Sequence, residues 1–98
     1  MMAKGADELA YERADAANGV IEDLKRNGLP EEKAHDLLSG YAQAIEGAYR
    51  EEWGARRVMV AAGALPGSLN RFNEAKKQEI LNRINRNHSA PGHWEQQE

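Results

Sequence analysis

Between Ala34 and Trp53 the residues Ala34, Leu37, Leu38, Tyr41, Ile45, Ala48, Tyr49 and Trp53 recur at steps of three and four. That spacing puts them on one face, because an α-helix completes a turn every 3.6 residues. A chain with an amphipathic helix at its centre must cover that face with further elements. The segment just before it supplies a start: Gly28-Leu29-Pro30-Glu31-Glu32 places proline at the first helical position, where its missing N–H costs nothing. Two glutamates follow, suited to the positive end of the helix dipole. Gly54 reads as the end of this second helix. Gly40, Ala44 and Gly47 form a stripe of small residues along it, which suits either close approach of another backbone or a tolerated surface.

A first helix is expected from about Ala6 to Asn27. Its stripe is Ala10, Ala14, Ala17, Ile21 and Leu24, with Val20 beside it and Gly28 as a left-handed cap. A further helix is expected from Ser68 or Asn70 to Arg86, with Leu69, Phe72, Ile80, Leu81 and Ile84 on a thin apolar face. Between Gly54 and Gly63, the run Arg56-Arg57-Val58-Met59-Val60-Ala61-Ala62 reads as a short strand. A lone strand leaves its backbone unpaired, so its mate is expected to be the same segment of a second chain. The expected fold is therefore mainly α: three helices with one short strand that pairs across a homodimer. Arg57, Val58, Met59 and Val60 are the expected dimer interface.

Size points to self-association as well. With 98 residues, a single core is small, and such domains often lean on disulfides, a metal or a partner subunit. The chain has no cysteine, and His35, His88 and His93 are too scattered for a metal set. Neither a metal nor a cofactor is expected. Residues 1–88 are expected to form one helical domain, frayed from Met1 to Gly5. Residues 89–98, which include Pro91, Gly92 and Trp94, are expected to form a disordered tail. No apolar run of about 18 residues occurs and no signal-peptide core is evident, so a cytoplasmic location without membrane contact is expected.

The net charge of −3 hides an asymmetry. Met1–Glu52 holds 6 Lys/Arg against 12 Asp/Glu, whereas Trp53–Glu98 holds 7 against 4. The basic half suggests either an anionic partner or a solvated helix. Lys76, Lys77, Arg83 and Arg86 are the candidate partner-binding residues. No glycine-rich phosphate loop is present, and Ser39 and Ser68 lack a histidine-and-acid set. Carboxylates such as Glu22, Asp23, Glu51 and Glu52 read as solvated helix surface, so no enzymatic activity is expected.

One order of residues is familiar. Gly28-Leu29-Pro30-Glu31-Glu32 opens a helix that closes with Arg50-Glu51-Glu52-Trp53-Gly54, and Arg57-Val58-Met59-Val60 and Gly63 follow. It resembles the dimerisation region of the Mor family, the middle operon regulators of Mu-like bacteriophages. Gln78–His88 resembles the start of that family's DNA-binding part. The resemblance implies a phage origin and a strand-paired dimer. A complete reading head would need a second, recognition helix for the major groove, and the ten residues after His88, broken by Pro91-Gly92, leave no room for it. The expected function is thus a small phage-encoded dimeric interaction protein that inhibits or modulates a host protein, a class that includes anti-CRISPR proteins. The alternative is a Mor-like DNA-binding transcriptional regulator.

Overall fold

The computed structural model describes residues 5–88, with side chains as far as Asn85. The expected tail at 89–98, with His93 and Trp94, and all of the expected frayed end but Gly5 lie outside the described residues. Four helices follow one another: α1 (Ala6–Arg26), α2 (Glu31–Ile45), α3 (Tyr49–Ala62) and α4 (Pro66–His88). α1 and α4 make the most extensive contact and run antiparallel, with Arg13 meeting Glu79 and Asp15 meeting Arg71. α2 and α3 form a hairpin closed by residues 46–48, and α2 also packs on α1 and α4.

The core forms where these contacts converge. Val20, Ile21 and Leu24 of α1 meet Ala34, Leu38, Tyr41 and Ile45 of α2, Met59 of α3, and Leu69 and Phe72 of α4. The ring of Tyr41 lies against Phe72, and its hydroxyl accepts a hydrogen bond from Asn73 Nδ2 at 2.9 Å. Thus the one large polar tip in the core is satisfied. Among the described residues no buried side-chain nitrogen or oxygen lacks a partner.

The helix ends are tied together at one corner. Gly28 and Gly63 take φ of +102° and +118° and close α1 and α3. Behind Gly63, the Ala64 N–H donates to Met59 O at 3.0 Å, a turn that captures a terminal helix carbonyl. Asn27 Nδ2 donates to Ala62 O at 2.9 Å, so the end of α1 also caps the end of α3. Asp23, only 5% exposed, accepts the Leu65 N–H at 3.2 Å and pairs with Arg26 at 2.6 Å. Its charge lies at the N-terminus of α4, where the helix dipole favours an anion.

The expected strand is not present: Arg56–Ala62 is the second half of α3. The described residues contain no strand, so pairing of Arg57, Val58, Met59 and Val60 across a dimer by a β-ladder falls with it. Three physical terms explain the difference. Only two residues of the run are β-branched, and each costs at most about 0.7 kcal/mol in a helix. A helix satisfies its interior backbone groups locally, whereas a lone strand cannot. Finally, helical spacing turns Ala55, Met59 and Ala62 toward the core, and burying the Met59 side chain is worth roughly 1.5–3 kcal/mol. That outweighs the penalty of about 1 kcal/mol for Gly54 inside the helix.

The helix break sits at Gly47 instead of Gly54. Glu51 folds its carboxylate back to accept the Ala48 N–H at 2.9 Å, which caps α3 from within. A Cβ on Gly47 would run into that carboxylate, so a larger residue there would have to displace the Glu51 cap. Gly40, by contrast, faces open space, and no backbone approaches it. Splitting the expected long helix also redirects its last apolar residues. Leu38, Tyr41 and Ile45 are buried as their spacing implies, but Tyr49 and Trp53 belong to α3 and stay 76% and 50% exposed.

Candidate functional site

α4 carries the basic residues that the sequence nominates for partner binding, and the fold uses them internally. Lys76 Nζ lies 2.9 Å from Glu46 Oε2, and Arg83 Nη2 lies 3.1 Å from Glu46 Oε1. Lys77 Nζ lies 3.3 Å from Glu52 Oε2, which also accepts Asn73 Nδ2 at 2.6 Å. Arg71 pairs with Asp15 at 3.0 Å. The side chain of Arg86 lies outside the described residues. The structure therefore brings Lys76 and Arg83 together on one carboxylate and places Lys77 on the next. The charge asymmetry of the sequence is largely an intramolecular match, basic α4 against carboxylates of α1, the α2–α3 turn and α3.

Glu46 records this match. The hydrogen bond from Lys76, its charge and that of Arg83 hold the carboxyl below the ordinary value of 4.5. A carboxyl depressed in the folded state stabilises the fold above the unfolded value, and that contribution is lost as pH falls below 4.5. The effect is small, since the pairs face solvent. Glu46→Gln is expected to flatten the acid limb of the urea-midpoint profile below pH 4.5 and to leave the shape of the neutral limb unchanged. An identical acid limb in both proteins would show that these pairs carry no net stability.

The cations left over lie elsewhere. Among the described residues Lys33 of α2 and Arg50, Arg56 and Arg57 of α3 make no ion pair, and the three arginines share one helix. At 100° per residue, Tyr49, Trp53, Arg56 and Val60 fall within about 60° of one another, with Arg57 and Arg50 along one border. This face is turned away from Met59 and the core. Tyr49 and Trp53 stack on it with ring centroids 6.3 Å apart and an interplanar angle of 8°. The carboxylates of α3 do not neutralise it, because Glu52 is engaged by Lys77 and Asn73 and Glu51 is folded onto Ala48. Val60 adds an exposed apolar contact at 44%.

Sequence reasoning missed this surface for one reason. Reading Arg56–Ala62 as a strand hid the helical spacing that joins Tyr49, Trp53, Arg56 and Val60. Of the four expected interface residues, Arg57 borders the face and Val60 lies on it. Val58 is exposed on a different side of α3, and Met59 is buried in the core.

Nothing in this arrangement resembles a catalytic set. Among the described residues no group of three or more His, Asp or Glu could hold a metal ion. No described helix is long and apolar enough to cross a membrane. No family model, curated protein or solved structure matches the chain.

Proposed function

We propose that this chain is a small non-enzymatic interaction protein that binds an acidic surface of a host protein through the outward face of α3. The observation that carries the reading is the grouping of three arginines without ion pairs beside an exposed, stacked Tyr49–Trp53 pair. Tryptophan, tyrosine and arginine are the residue types most enriched where alanine substitution costs an interface most. A rigid helix face presents them with little ordering cost. The arginines would steer an acidic partner and fix its register. A phage origin, and with it a role in inhibiting or modulating a host protein, rests on the resemblance of Gly28–Gly63 to the Mor dimerisation region. The strand that belongs to that resemblance is helical here.

A homodimer is a weaker use of this face. Packing two copies through α3 about a twofold axis would set arginines against arginines, which opposes association. The DNA-binding alternative draws on the same arginines and aromatic rings, now without help from Lys76, Lys77 and Arg83, which are paired internally.

The test uses tagged full-length chain as bait in a bacterial lysate, comparing Arg56→Glu/Arg57→Glu with Arg83→Glu/Arg86→Glu. The α3 pair is expected to lower capture of a specific protein at least tenfold and the α4 pair to leave it largely intact. Capture lost only with the α4 pair would place the contact on α4 and sink the α3 reading. A nuclease-sensitive catch, with affinity falling linearly in log–log against salt, would favour the DNA-binding regulator instead.

A further inference from the structure

Asparagine followed by glycine occurs twice in the chain, at Asn18-Gly19 and at Asn27-Gly28. In such a pair the next backbone nitrogen carries no Cβ beside it to block its approach to the asparagine side chain, so the side-chain amide is chemically labile. The fold treats the two pairs differently. Asn18 lies in the middle of α1, where turning the backbone to bring the Gly19 nitrogen to the side chain breaks the helix on both sides. Asn27 is the exposed C-cap of α1, at φ −86° and ψ 3°. Beyond it two backbone bonds tie the chain to α1: the Gly28 N–H donates to Lys25 O at 2.9 Å, and the Leu29 N–H donates to Leu24 O at 3.1 Å. A third restraint is the bond from Asn27 Nδ2 to Ala62 O, which is itself exposed.

We propose that Asn27 is a self-modification site, at which the Gly28 nitrogen converts the side-chain amide to a carboxylate during openings of the α1–α3 corner. The closed corner holds the reaction off twice, because the Gly28 N–H is engaged by Lys25 O and the amide by Ala62 O. Helix ends open locally at much lower free energy than helix centres, so docking of the corner sets the rate. In the open corner the deprotonated Gly28 nitrogen attacks Asn27 Cγ. A nitrogen–Cγ bond forms and the Cγ–Nδ2 bond breaks. The amide leaves as ammonia, taking from water a proton that replaces the one the backbone nitrogen gave up. Water then opens the imide ring without any change of oxidation state. Cleavage at Cγ gives aspartate, and cleavage at the backbone carbonyl gives isoaspartate, with an added carbon in the main chain. Aspartate loses the donor that caps α3, since a carboxylate only accepts. It faces the acceptor Ala62 O at the negative ends of both α1 and α3. Isoaspartate lengthens the chain at the cap and displaces the Gly28 and Leu29 bonds. Either product unties α3 from α1, and the change runs in one direction only. The site shares no residue with the α3 face, so it stands or falls separately from the proposed function.

The full chain is held at mildly alkaline pH, and peptide mapping follows the mass gain of amide-to-acid conversion at each asparagine, with a parallel sample in urea. In urea the two Asn-Gly pairs should react at similar rates, because neither keeps its structure. In the native chain Asn27 should react at least tenfold faster than Asn18. Gly63→Ala presses a Cβ onto Asn27 and should raise that ratio further, whereas Gly67→Ala should leave it unchanged. The aspartate form, separated by its added charge, should exchange the amide hydrogens of Gly28, Leu29 and Ala64 at least tenfold faster than the original chain, with those of Leu38 and Tyr41 unchanged. Equal native rates at Asn18 and Asn27 would overturn the proposal, since the reaction would then follow global unfolding. That comparison needs no variant and decides the matter even if Gly63→Ala does not fold. A ratio unmoved in folded Gly63→Ala, or an aspartate form with unchanged exchange, would overturn it too.

Discussion

Leu24→Ala is expected to lower the urea midpoint by more than any single surface substitution and to leave a substantial fraction of the chain unfolded at moderate temperature. Leu24 is fully buried, in the last turns of α1, within the same cluster as Leu38, Met59 and Leu69. Removing a buried leucine side chain costs about 2–5 kcal/mol, the transfer energy of the lost carbons plus the cavity left behind. A whole domain is stable by only about 5–15 kcal/mol, and small ones fall toward the low end. The same substitution at Leu81, which is 52% exposed on α4, should stay within about 0.5 kcal/mol. The ratio of the two shifts, measured at unchanged denaturant slope, locates the core. Equal shifts would mean that α4 packs with Leu81 inward, against the structure described here.

Much of that core was legible in the order of residues. Val20, Ile21 and Leu24, then Leu38, Tyr41 and Ile45, keep helical spacing and are buried together. Gly28 closes α1 with a positive φ, as its place after the last apolar residue implies. Local sequence rules reached these features because capping and periodicity act within a few residues of one another. They failed between Ala44 and Ala62, where two glycines compete to end a helix. Gly54 follows Trp53 and looks like the terminator, yet Gly47 is the one at the turn, because Glu51 can reach back to cap Ala48. Once the boundary is misplaced, Tyr49 and Trp53 pass to the wrong face and Val58-Met59-Val60 reads as a strand.

The candidate site was less legible for a different reason. Composition shows that the two halves of the chain differ in charge, but not which charges meet. That depends on α4 lying antiparallel to α1 and alongside the α2–α3 turn, a long-range outcome of packing. Only with Glu46, Glu52 and Asp15 matched to Lys76, Arg83, Lys77 and Arg71 do the arginines of α3 stand out as a group of cations without ion pairs. The candidate face is thus defined by subtraction, and helical spacing would have grouped its residues had the helix been recognised.

Gly63→Ala tests the corner on which this arrangement depends, and a loss of roughly 2–4 kcal/mol is expected from two separable causes. The first is backbone strain. Gly63 sits at φ +118°, and an alanine forced into left-handed geometry costs roughly 1–2 kcal/mol. The second is collision, because a Cβ there would lie 2.5 Å from Asn27 Cβ and 2.7 Å from its Nδ2. Asn27 cannot simply swing aside, since its amide caps Ala62 O and a shift of Cβ moves the end of α1. Gly67→Ala is the control, as nothing lies within 4 Å of its missing Cβ. The two causes separate in the Asn27→Gly background, where the collision is gone and the strain remains. There the added cost of Gly63→Ala should fall to that of the strain alone. Full additivity of the two substitutions would show that α1 and α3 do not meet at this point. The Asp23 contact to Leu65 would then be left as the tie between the end of α1 and the start of α4.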